Sequence, residues 1–378
     1  MRVAIVADEF YPAIGGAPTS AMEISIGLSK LGAEPVVLTH AYPGKPLEEE
    51  INGVRVIRLN GFVINRINRG VSSRIFRDLY YSIKYGGFDI VHGQDVYSPM
   101  SLASVYFARK CGIPSVVTCR SVHKSSWMWR LIYQPLVFTL RRADRTITVS
   151  EASAKFCRAL GVPDEKIAVI LNGIDLSIFN SRVDGTSLRE ELGIGGSPLV
   201  ATAIRLVKRK GPGHLVAAFA KVLEALPDAK LVMAGWGPEE ENLRVQIKKL
   251  GMDGSAFMIG PLSREKVSEL MAAADVFILP STVEAFGRAA VEAMAVGTPV
   301  VCPRAGGMPE IIEDGFNGLL FQPGDTSDMA DCMLRILTDK RLARRLSKNG
   351  MKRACRFSLE ATSKRTLELY KEVCEGYG

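Results

Sequence analysis

Short apolar runs rich in β-branched residues alternate along the first half of the chain with longer amphipathic stretches. The short runs have the length of strands, and most of the stretches between them have the spacing of amphipathic helices. Such alternation is typical of a mainly parallel sheet covered by helices on both faces. The sequence therefore predicts an α/β fold with strands at residues 2–7, 35–39, 54–59, 88–92, 115–118 and 146–150.

The same rhythm begins again after another short run at 167–171 and a polar, glycine-containing stretch at 181–197. The strands predicted beyond this stretch lie at residues 199–204, 230–234, 256–259, 276–279 and 299–302. The end of the chain has helical patterns only, and an apolar stripe there predicts a closing helix packed on one domain. We expect two α/β domains, at 1–182 and 183–356, and a C-terminal helix at 357–378 that crosses back to the first.

Composition indicates an ordinary globular protein. With 378 residues and 47% hydrophobic positions, the chain is long enough to bury a sizeable core. No stretch reaches the roughly 20 uninterrupted apolar residues that cross a membrane, and the N-terminus begins directly with a core strand rather than a secretion signal. The seven cysteines are scattered without a Cys-x-x-Cys pair, so neither a disulfide framework nor a zinc site is predicted. We expect a cytoplasmic protein.

Most of the net charge of +8 lies in the first half of the chain. One basic run spans residues 55–84, and a second spans 120–145. Such charge fits an anionic membrane, an anionic acceptor or nucleic acid. Because no nucleic-acid recognition motif accompanies it, nucleic acid is not an expected partner.

The second basic run also contains aromatic side chains, namely Trp127, Trp129, Tyr133 and Phe138. A basic and aromatic segment is typical of a surface that rests on an anionic bilayer. It is equally typical of a core helix with basic ends. Under the first interpretation, the protein is peripheral on the inner face of the membrane and meets a lipid-linked acceptor there.

A glycine pair, Gly15-Gly16, stands between the first predicted strand and the first predicted helix. Glycines let the backbone approach a ligand closely, and a helix N-terminus offers N–H groups to an anion. The pair is therefore a candidate phosphate site, although a Gly-Gly turn between strand and helix is often only a turn.

Four cations follow the first strand of the second half: Arg205, Lys208, Arg209 and Lys210. Open α/β sheets bind ligands at the carboxyl ends of their strands. Arg205 offers a bidentate fork and Lys210 a point charge, and together they suit the diphosphate of a departing nucleotide. A solvated loop is the other interpretation of this segment taken alone.

Two glutamates, Glu284 and Glu292, flank the predicted start of a helix near Phe286. Glu284 is then in the preceding loop and Glu292 about two turns inside the helix, whose first amides point outward. One carboxylate suits sugar hydroxyls, the amides suit phosphate or sugar oxygens, and the second carboxylate suits ribose hydroxyls. The apolar residues around Glu292 indicate a largely buried helix, where an unpaired carboxylate is costly. A surface helix with two solvated glutamates is the alternative.

Taken together, these motifs resemble the retaining glycosyltransferases of family 4 over essentially the whole chain. The matching residues are Gly15-Gly16, Asn172-Gly173-Ile174-Asp175 with Phe179, Arg205 with Lys210-Gly211, Gly235-Trp236-Gly237-Pro238, Gly260, Glu284 with Glu292, Gly306-Gly307 with Glu310, and Asn317-Gly318-Leu319. The resemblance implies the GT-B architecture, in which two Rossmann-like domains face each other across a cleft. It also implies a hexosyltransferase-type enzyme that moves a sugar from a nucleotide-activated donor to an acceptor with retention of configuration.

The resemblance further implies roles for single residues. The implied donor-binding set is Gly15, Gly16, Arg205, Lys210, Gly260, Glu284, Phe286, Gly287, Arg288 and Glu292. Within it, Gly16, Arg205 and Lys210 hold the diphosphate, Glu284 and the backbone at 286–288 hold the sugar, and Glu292 holds the ribose, with the segment around 258–262 bordering the base. Arg205, Lys210 and Glu284 are the expected catalytic residues.

One departure from the family pattern concerns the acceptor side. Family members often carry a histidine just after the strand that matches 115–118, where this chain has Arg120. Either His123 substitutes for it by local rearrangement, or Arg120 itself contacts sugar or phosphate as a catalytic group. His92 and Asp95, at the end of another strand, are further acceptor-side candidates, although a strand-end histidine is more often a satisfied structural group.

The family's chemistry implies no protein nucleophile, because the leaving phosphate assists deprotonation of the acceptor, unlike the carboxylate pair of retaining glycosidases. The sequence contains no Asp-x-Asp triplet and no His/carboxylate cluster, so cations rather than a metal are expected to stabilise the diphosphate. No cofactor is expected. A UDP- or GDP-sugar is favoured over an ADP-sugar as donor, and a sugar, polyol or lipid-linked molecule is expected as acceptor.

Two other interpretations stay open at this point. A sugar-nucleotide 2-epimerase has the same two-domain fold but needs acid and base carboxylates and no acceptor. A catalytically silent sugar-nucleotide-binding protein would account for Arg120 in place of the histidine.

Overall fold

The computed structural model describes residues 1–13, 15–61, 72–122 and 134–377, with the backbone alone at 134 and 135. The chain forms two compact units. The first contains residues 1–173 and 359–378, and the second contains residues 174–358.

The first unit is built on a sheet whose strands are parallel except at one edge. Its described strands are β1 Arg2–Val6, β2 Glu34–His40, β3 Glu48–Ile51, β4 Val54–Leu59, β5 Ile90–Gly93, β6 Ser115–Cys119, β7 Arg145–Thr148 and β8 Ile167–Val169. Its described helices are α1 Gly16–Lys30, α2 Ser73–Tyr85, α3 Pro99–Lys110, α4 Gln134–Arg142, α5 Glu151–Ala159 and, from the end of the chain, α14 Leu359–Glu375. The strand order is β3-β4-β2-β1-β5-β6-β7-β8, and only β3 runs antiparallel to its neighbour.

The second unit is built on an entirely parallel sheet with the order β11-β10-β9-β12-β13-β14. Its strands are β9 Leu199–Ala203, β10 Lys230–Ala234, β11 Ala256–Gly260, β12 Val276–Ile278, β13 Val300–Pro303 and β14 Leu319–Phe321. Its helices are α6 Thr186–Glu191, α7 Pro212–Ala225, α8 Glu240–Lys249, α9 Arg264–Ala273, α10 Arg288–Val296, α11 Met308–Ile311, α12 Thr326–Thr338 and α13 Lys340–Ala354. Numbered within the unit, this is the 3-2-1-4-5-6 order of doubly wound nucleotide-binding sheets.

Buried strand interiors explain why the central strands were predictable. Strands β1, β5 and β6 are almost entirely buried, and most of their residues are nonpolar. A strand covered on both faces gains from apolar side chains at every position rather than at alternate ones. The predicted α/β fold with two parallel-sheet domains is confirmed.

Strand β3 was not predicted, because its sequence, Glu48-Glu49-Glu50-Ile51, has the polarity of a loop. It pairs antiparallel with β4 at the sheet edge. There Glu49 forms an ion pair with the guanidinium of Arg58 on β4, whose side chain is fully buried. A carboxylate beside a buried cation removes the cost of leaving that charge unpaired, so this edge strand is stabilised by an ion pair rather than by apolar burial.

The division between the units lies upstream of the predicted boundary at 182/183. The amide of Ile174 donates to the carbonyl of Phe357 at 2.9 Å, and the hydroxyl of Ser268 donates to the carbonyl of Ile178 at 2.9 Å. These contacts attach the segment after Gly173 to the second unit.

The C-terminal helix α14 packs on α1 of the first unit. The two helices approach closely because Gly27 has no side chain: a Cβ there would lie 1.9 Å from the hydroxyl oxygen of Ser363. Tyr370 on α14 is fully buried and lies in one cluster with residues of β1, β2 and α1. Its hydroxyl hydrogen-bonds with Nδ1 of His92 at the end of β5. The helix therefore completes the core of the first unit.

Replacing Tyr370 with phenylalanine tests this last contact. The change removes one buried hydrogen bond and keeps the ring, so we expect a loss of about 1–2 kcal/mol in stability of the first unit. Hydrogen–deuterium exchange should become faster in peptides from β5 and α14. Tyr377→Phe is the matched control, since that tyrosine is 37% exposed. Unchanged exchange in Tyr370→Phe would show that the contact contributes nothing.

Candidate active site

The predicted donor residues of the second unit gather at the carboxyl ends of β9 and β12. These two strands are neighbours at the centre of the sheet, where the strand order changes direction. The loops that leave them belong to the two opposite halves of the sheet, and ligands of open α/β sheets bind at this switch point. Arg205 and Lys210 follow β9, and Glu284 follows β12.

The loops after β9 and β12 are joined by an ion pair between Lys210 and Glu284. Nζ of Lys210 lies 2.5 Å from Oε1 of Glu284, and the hydroxyl of Ser281 donates to the same oxygen at 2.5 Å. The two charged side chains are only 20% and 10% exposed. A carboxylate this buried is costly unless it is paired and hydrogen-bonded, and both conditions are met here.

Two glycines allow neighbouring loops to approach each other closely at this edge of the sheet. Gly211, with φ of 66°, would place a Cβ 2.0 Å from the carbonyl oxygen of Pro280. Gly306, with φ of 61°, would place one 1.9 Å from the carbonyl oxygen of Glu284, which also accepts the amide of Gly307 at 2.8 Å. Both positions combine a left-handed backbone with no room for a side chain, so only glycine fits.

Helix α10 begins at Arg288, so the predicted start near Phe286 is wrong. Gly287 adopts a left-handed conformation with φ of 81° and cannot belong to the helix. Glu292 therefore lies about one turn inside rather than two. Its carboxylate lies 3.1 Å from the guanidinium of Arg288, and both side chains are nearly buried. Phe286 is 3% exposed and packs edge-on against Phe357.

Arg205 follows β9 and lies near the turn that follows β10. Its guanidinium lies 6.0 Å from the ring centroid of Trp236, and its Nε has no hydrogen-bond partner among the described residues. The turn that carries Trp236 is held by the amide of Leu206, which donates to the Trp236 carbonyl at 3.0 Å. Gly260, at the end of β11, has φ of 73° and open space where a Cβ would stand. The half-buried Arg205 is thus positioned beside an aromatic face and retains donor capacity.

In the first unit, the glycine pair begins helix α1. Gly15 is the N-cap residue and Gly16 the first residue of the helix, so the helix begins about three residues before the predicted start near Thr19. A Cβ at Gly16 would meet nothing within 4 Å, so the space beside this backbone is open. A ligand can therefore approach the N-terminus of α1 here.

His92 has the structural role that was one of its two interpretations. It is 2% exposed, its Nε2 lies 2.6 Å from Oγ1 of Thr118, and its Nδ1 contacts Tyr370 and the amide nitrogen of Gln94. Because an amide nitrogen can only donate, Nδ1 is the acceptor and Nε2 carries the proton. Burial, together with the charge of Arg120, lowers the pKa of His92 to about 3, so the ring stays neutral.

Arg120 is held at the carboxyl end of β6 by a neighbouring residue. Its guanidinium donates to both the carbonyl oxygen and the side-chain Oε1 of Gln94, the latter at 2.8 Å. Asp95 follows directly, and its Oδ1 accepts the amide of Tyr97 at 3.1 Å. Burial raises the pKa of Asp95, partly offset by that amide and by Arg120. His123 lies outside the described residues.

Asp8 is a charged residue that the sequence analysis did not single out. It follows β1 at the switch point of the first sheet, is 9% exposed, and accepts the amide of Met100, in the first turn of α3, at 3.0 Å. Burial raises its pKa to about 7; hydrogen bonds from Ser98 and Met100 oppose the shift, and nearby carboxylates add to it. An aspartate directly after an apolar strand was the available signal.

Other features of the described residues set limits on the site. A cavity of about 610 Å³ lies in the second unit beside α11 and α13, and Glu310, Asn317, Lys352 and Arg356 are among the residues that line it. No member of the predicted donor-binding set is among the described residues that line it.

Within the described ranges, no three His, Cys, Asp or Glu side chains are grouped as metal ligands. No helix in those ranges is long and apolar enough to span a membrane.

Two units built on mainly parallel, doubly wound sheets are the architecture of the GT-B class of proteins, and a solved structure agrees with this fold. An Anabaena protein, HepE, solved in complex with UDP-glucose, matches with a TM-score of 0.84 and 22% identity, over 98% of this chain and 100% of its own. At this identity the likeness shows the fold. The predicted GT-B fold class is confirmed.

Family comparisons identify the chain more narrowly. The family described as Glycosyltransferase Family 4 matches residues 14–178, and that described as Glycosyl transferases group 1 matches residues 184–353. The two matches together cover most of the chain, which belongs to glycosyltransferase family 4. The prediction of a glycosyltransferase of the hexosyltransferase type is confirmed, and the epimerase alternative is not favoured.

Two curated relatives align with nearly the whole chain. An uncharacterized glycosyltransferase of Methanocaldococcus jannaschii is 28% identical over 100% of both chains. The D-inositol 3-phosphate glycosyltransferase of a Nocardioides species is 26% identical over 95% of this chain and 85% of its own.

The raised pKa of Asp8 predicts a pH dependence of stability. The folded pKa of about 7 exceeds the ordinary aspartate pKa of 3.8, so between these values the folded state binds more protons than the unfolded state. Stability contributed by the neutral carboxyl is therefore complete below about pH 4, falls as the pH rises towards 7, and is lost above it. Asp8→Asn keeps an acceptor for Met100 and does not titrate.

We expect the stability of wild type to fall relative to Asp8→Asn by at most about 1.4 kcal/mol per pH unit across this window. Urea denaturation from pH 4 to 8 measures the difference. Asp95 is present in both proteins, so only the part of its contribution that depends on the charge of Asp8 remains in the difference. Parallel stability curves for the two proteins would contradict the assignment.

Proposed function

We propose that the protein transfers a hexose from a nucleoside-diphosphate sugar to a hydroxyl group of an acceptor, with retention of anomeric configuration and without a metal ion. The observation that carries the donor site is the buried pair of Lys210 and Glu284 at the switch point, with Arg205 in the same loop as Lys210. Cations and a carboxylate at one edge suit a diphosphate and a hydroxylated sugar together.

The ion pair between Lys210 and Glu284 determines which kind of ligand the proposed site can bind. Without a ligand, Lys210 is neutralised by Glu284. An arriving diphosphate competes for the ammonium group, and the carboxylate is then left to accept hydrogen bonds from sugar hydroxyls. The site therefore selects a ligand that brings an anion and hydroxyls at once, which describes a sugar nucleotide.

In the proposed reaction, the bond between the anomeric carbon and the diphosphate oxygen breaks as the acceptor oxygen bonds to that carbon from the same face. The acceptor proton passes to the departing phosphate oxygen. Arg205 and Lys210 stabilise the negative charge that develops on the diphosphate. No protein nucleophile takes part.

The donor is proposed to be a UDP- or GDP-sugar. Support comes from the Anabaena structure, whose ligand is UDP-glucose. Gly16 in the first unit, Gly260, the backbone at 286–288 and Glu292 are the remaining proposed donor contacts. Glu292 already pairs with Arg288, so a ribose would share that carboxylate with the guanidinium.

The acceptor is proposed to be a sugar, a polyol or a lipid-linked glycan that meets the first unit. Arg120 is the proposed contact, since Gln94 fixes its guanidinium at the carboxyl end of β6. A guanidinium suits a phosphate on the acceptor. The Nocardioides relative is named for an acceptor of this kind, inositol 3-phosphate.

Calorimetric titration with UDP and with UDP- and GDP-sugars, in the presence of EDTA, tests the donor site. Lys210→Ala should weaken both the nucleotide and the sugar nucleotide by about 10-fold or more, since it removes a charged hydrogen bond. Glu284→Gln should weaken only the sugar nucleotide, while the nucleotide binds as tightly or more tightly because Lys210 is released.

Arg209→Ala is the matched control for this titration. It removes the same charge from the same turn, while its backbone carbonyl still accepts the amide of Thr282 at 3.2 Å. We expect wild-type affinities from this variant. Unchanged nucleotide affinity in Lys210→Ala would overturn the donor site, and dependence on a divalent cation would overturn the metal-independent reaction.

Substitution of Arg120 distinguishes a role in sugar transfer from a role in nucleotide binding. We expect Arg120→Ala to lower turnover or donor hydrolysis at least 10-fold while nucleotide affinity in the second unit changes less than twofold. Arg141→Ala removes an exposed cation of the same unit and should have no effect. Wild-type turnover in Arg120→Ala would exclude a catalytic role, and donor binding without any turnover in wild type would favour the silent binding protein.

A further inference from the structure

A cluster of aromatic and basic side chains covers the outer face of α2 and α3 in the first unit. We define the α2–α3 surface by its aromatic members, Tyr80, Tyr81, Tyr85, Tyr106 and Phe107, and its basic members, Arg74, Arg77, Lys84, Arg109 and Lys110. Residues 123–133 of the aromatic and basic run at 120–145 lie outside the described residues, and this surface does not include that run. Arg74, Arg77 and Lys84 belong to the other basic run, 55–84, to which α3 adds Arg109 and Lys110.

The exposure of the aromatic members is the first observation. Tyr85 is 72% exposed, Tyr106 52% and Tyr81 48%. Single exposed apolar residues are ordinary on a protein surface, but a contiguous patch marks an interaction site. These tyrosines are contiguous: Tyr81 stacks on Tyr85 at 6.0 Å between ring centroids, and Tyr80 lies 5.4 Å from Tyr81.

The patch continues onto α3. Tyr80 meets Phe107 edge-on at 5.5 Å, and Phe107 lies 5.7 Å from Tyr106. Phe107 in turn packs against the buried cluster beneath the helices. The exposed rings are therefore supported by a rigid base, and both helices present them on one surface.

Charge is the second observation. The ammonium groups of Lys84 and Lys110 lie 5.9 Å and 5.2 Å from the ring centroid of Tyr80, so cations and aromatic rings are interleaved. Asp78 is the one acidic residue of the two helices, and it is shared by Arg74 and Arg77 at 3.7 Å and 3.3 Å. The surface is strongly positive.

We propose that the α2–α3 surface binds an anionic lipid bilayer. Tyrosine has an apolar ring and a polar tip, which suits the headgroup region, and exposed lysine and arginine attract anionic lipid headgroups. Single-stranded nucleic acid also binds aromatic and basic surfaces, but it needs open ring faces for its bases. Here Tyr80 and Tyr85 already have lysine ammonium groups over their rings, and Tyr81 and Tyr85 stack on each other. This partner is additional to the proposed donor and acceptor sites.

Vesicle sedimentation of the full chain tests the proposal. Wild type should bind phosphatidylglycerol vesicles at least 10-fold more tightly than phosphatidylcholine vesicles, and added salt should weaken the binding. The aromatic variant Tyr81→Ser/Tyr85→Ser/Tyr106→Ser and the charge variant Arg77→Gln/Lys84→Gln/Lys110→Gln should each bind at least 10-fold more weakly.

Matched controls lie on exposed positions of the second unit. Val245→Ser/Leu250→Ser removes two apolar side chains that are each 45% exposed, and Lys221→Gln/Lys248→Gln/Lys249→Gln removes three exposed cations. Both controls should bind vesicles like wild type. Equal weakening in the charge control would show that net charge, not this surface, attracts the lipid, and would overturn the proposal.

Thermal melting and UDP titration of every variant separate misfolding, and failure of the donor site, from loss of lipid binding. If the aromatic variant does not fold, the charge variant and the lipid dependence of wild type decide the question. Absence of vesicle binding by wild type overturns the proposal. Binding of single-stranded oligonucleotides or self-association in solution, lost in the same variants without any vesicle binding, overturns it in favour of those partners.

Discussion

The parallel course of the strands is the constraint on which both units depend. Because every strand of the second sheet points the same way, every loop that follows a strand emerges at one edge. The strand order then makes β9 and β12 neighbours, although β10 and β11 lie between them in sequence. Lys210 and Glu284 meet as a consequence of this order. If β9 and β12 were neighbours but ran antiparallel, Lys210 and Glu284 would emerge at opposite edges of the sheet.

Backbone contacts, in addition to the ion pair, hold together the loops that carry Lys210 and Glu284. Gly211 and Gly306 each bring a loop within the space that a side chain would occupy, and the carbonyl of Glu284 accepts the amide of Gly307. The carboxylate is thus fixed from its own backbone and from its side chain. A site organised before its ligand arrives loses less conformational entropy when the ligand binds.

The sequence was informative where structure is local and uninformative where it depends on distant partners. Buried strands were predictable because burial on both faces leaves continuous apolar runs. Strand β3 was missed because Glu49 is stabilised by Arg58, on a different strand. The start of α10 was misplaced because the left-handed conformation of Gly287 is set by its surroundings, where Met308 fills the space beside it.

The candidate site shows the same difference between local patterns, which are predictable, and contacts between distant residues, which are not. Residue types and their spacing were enough to select Arg205, Lys210 and Glu284, since the motif lies at strand ends. Their mutual pairing was not predictable, because 74 residues separate Lys210 from Glu284. The role of His92 also depended on a distant residue, Tyr370, 278 positions further along the chain. Short-range patterns contain no information about such contacts.

The position of α14 has a consequence for the order in which the protein folds during synthesis. The sheet of the first unit leaves the ribosome early, but the helix that covers α1 follows only after residues 174–358 have been made. At about 5–20 residues per second, this delay is on the order of ten seconds or more. During it, the apolar surface around Leu28 and Ile24 stays uncovered, so the first unit can complete its core only after the whole second unit has been synthesised.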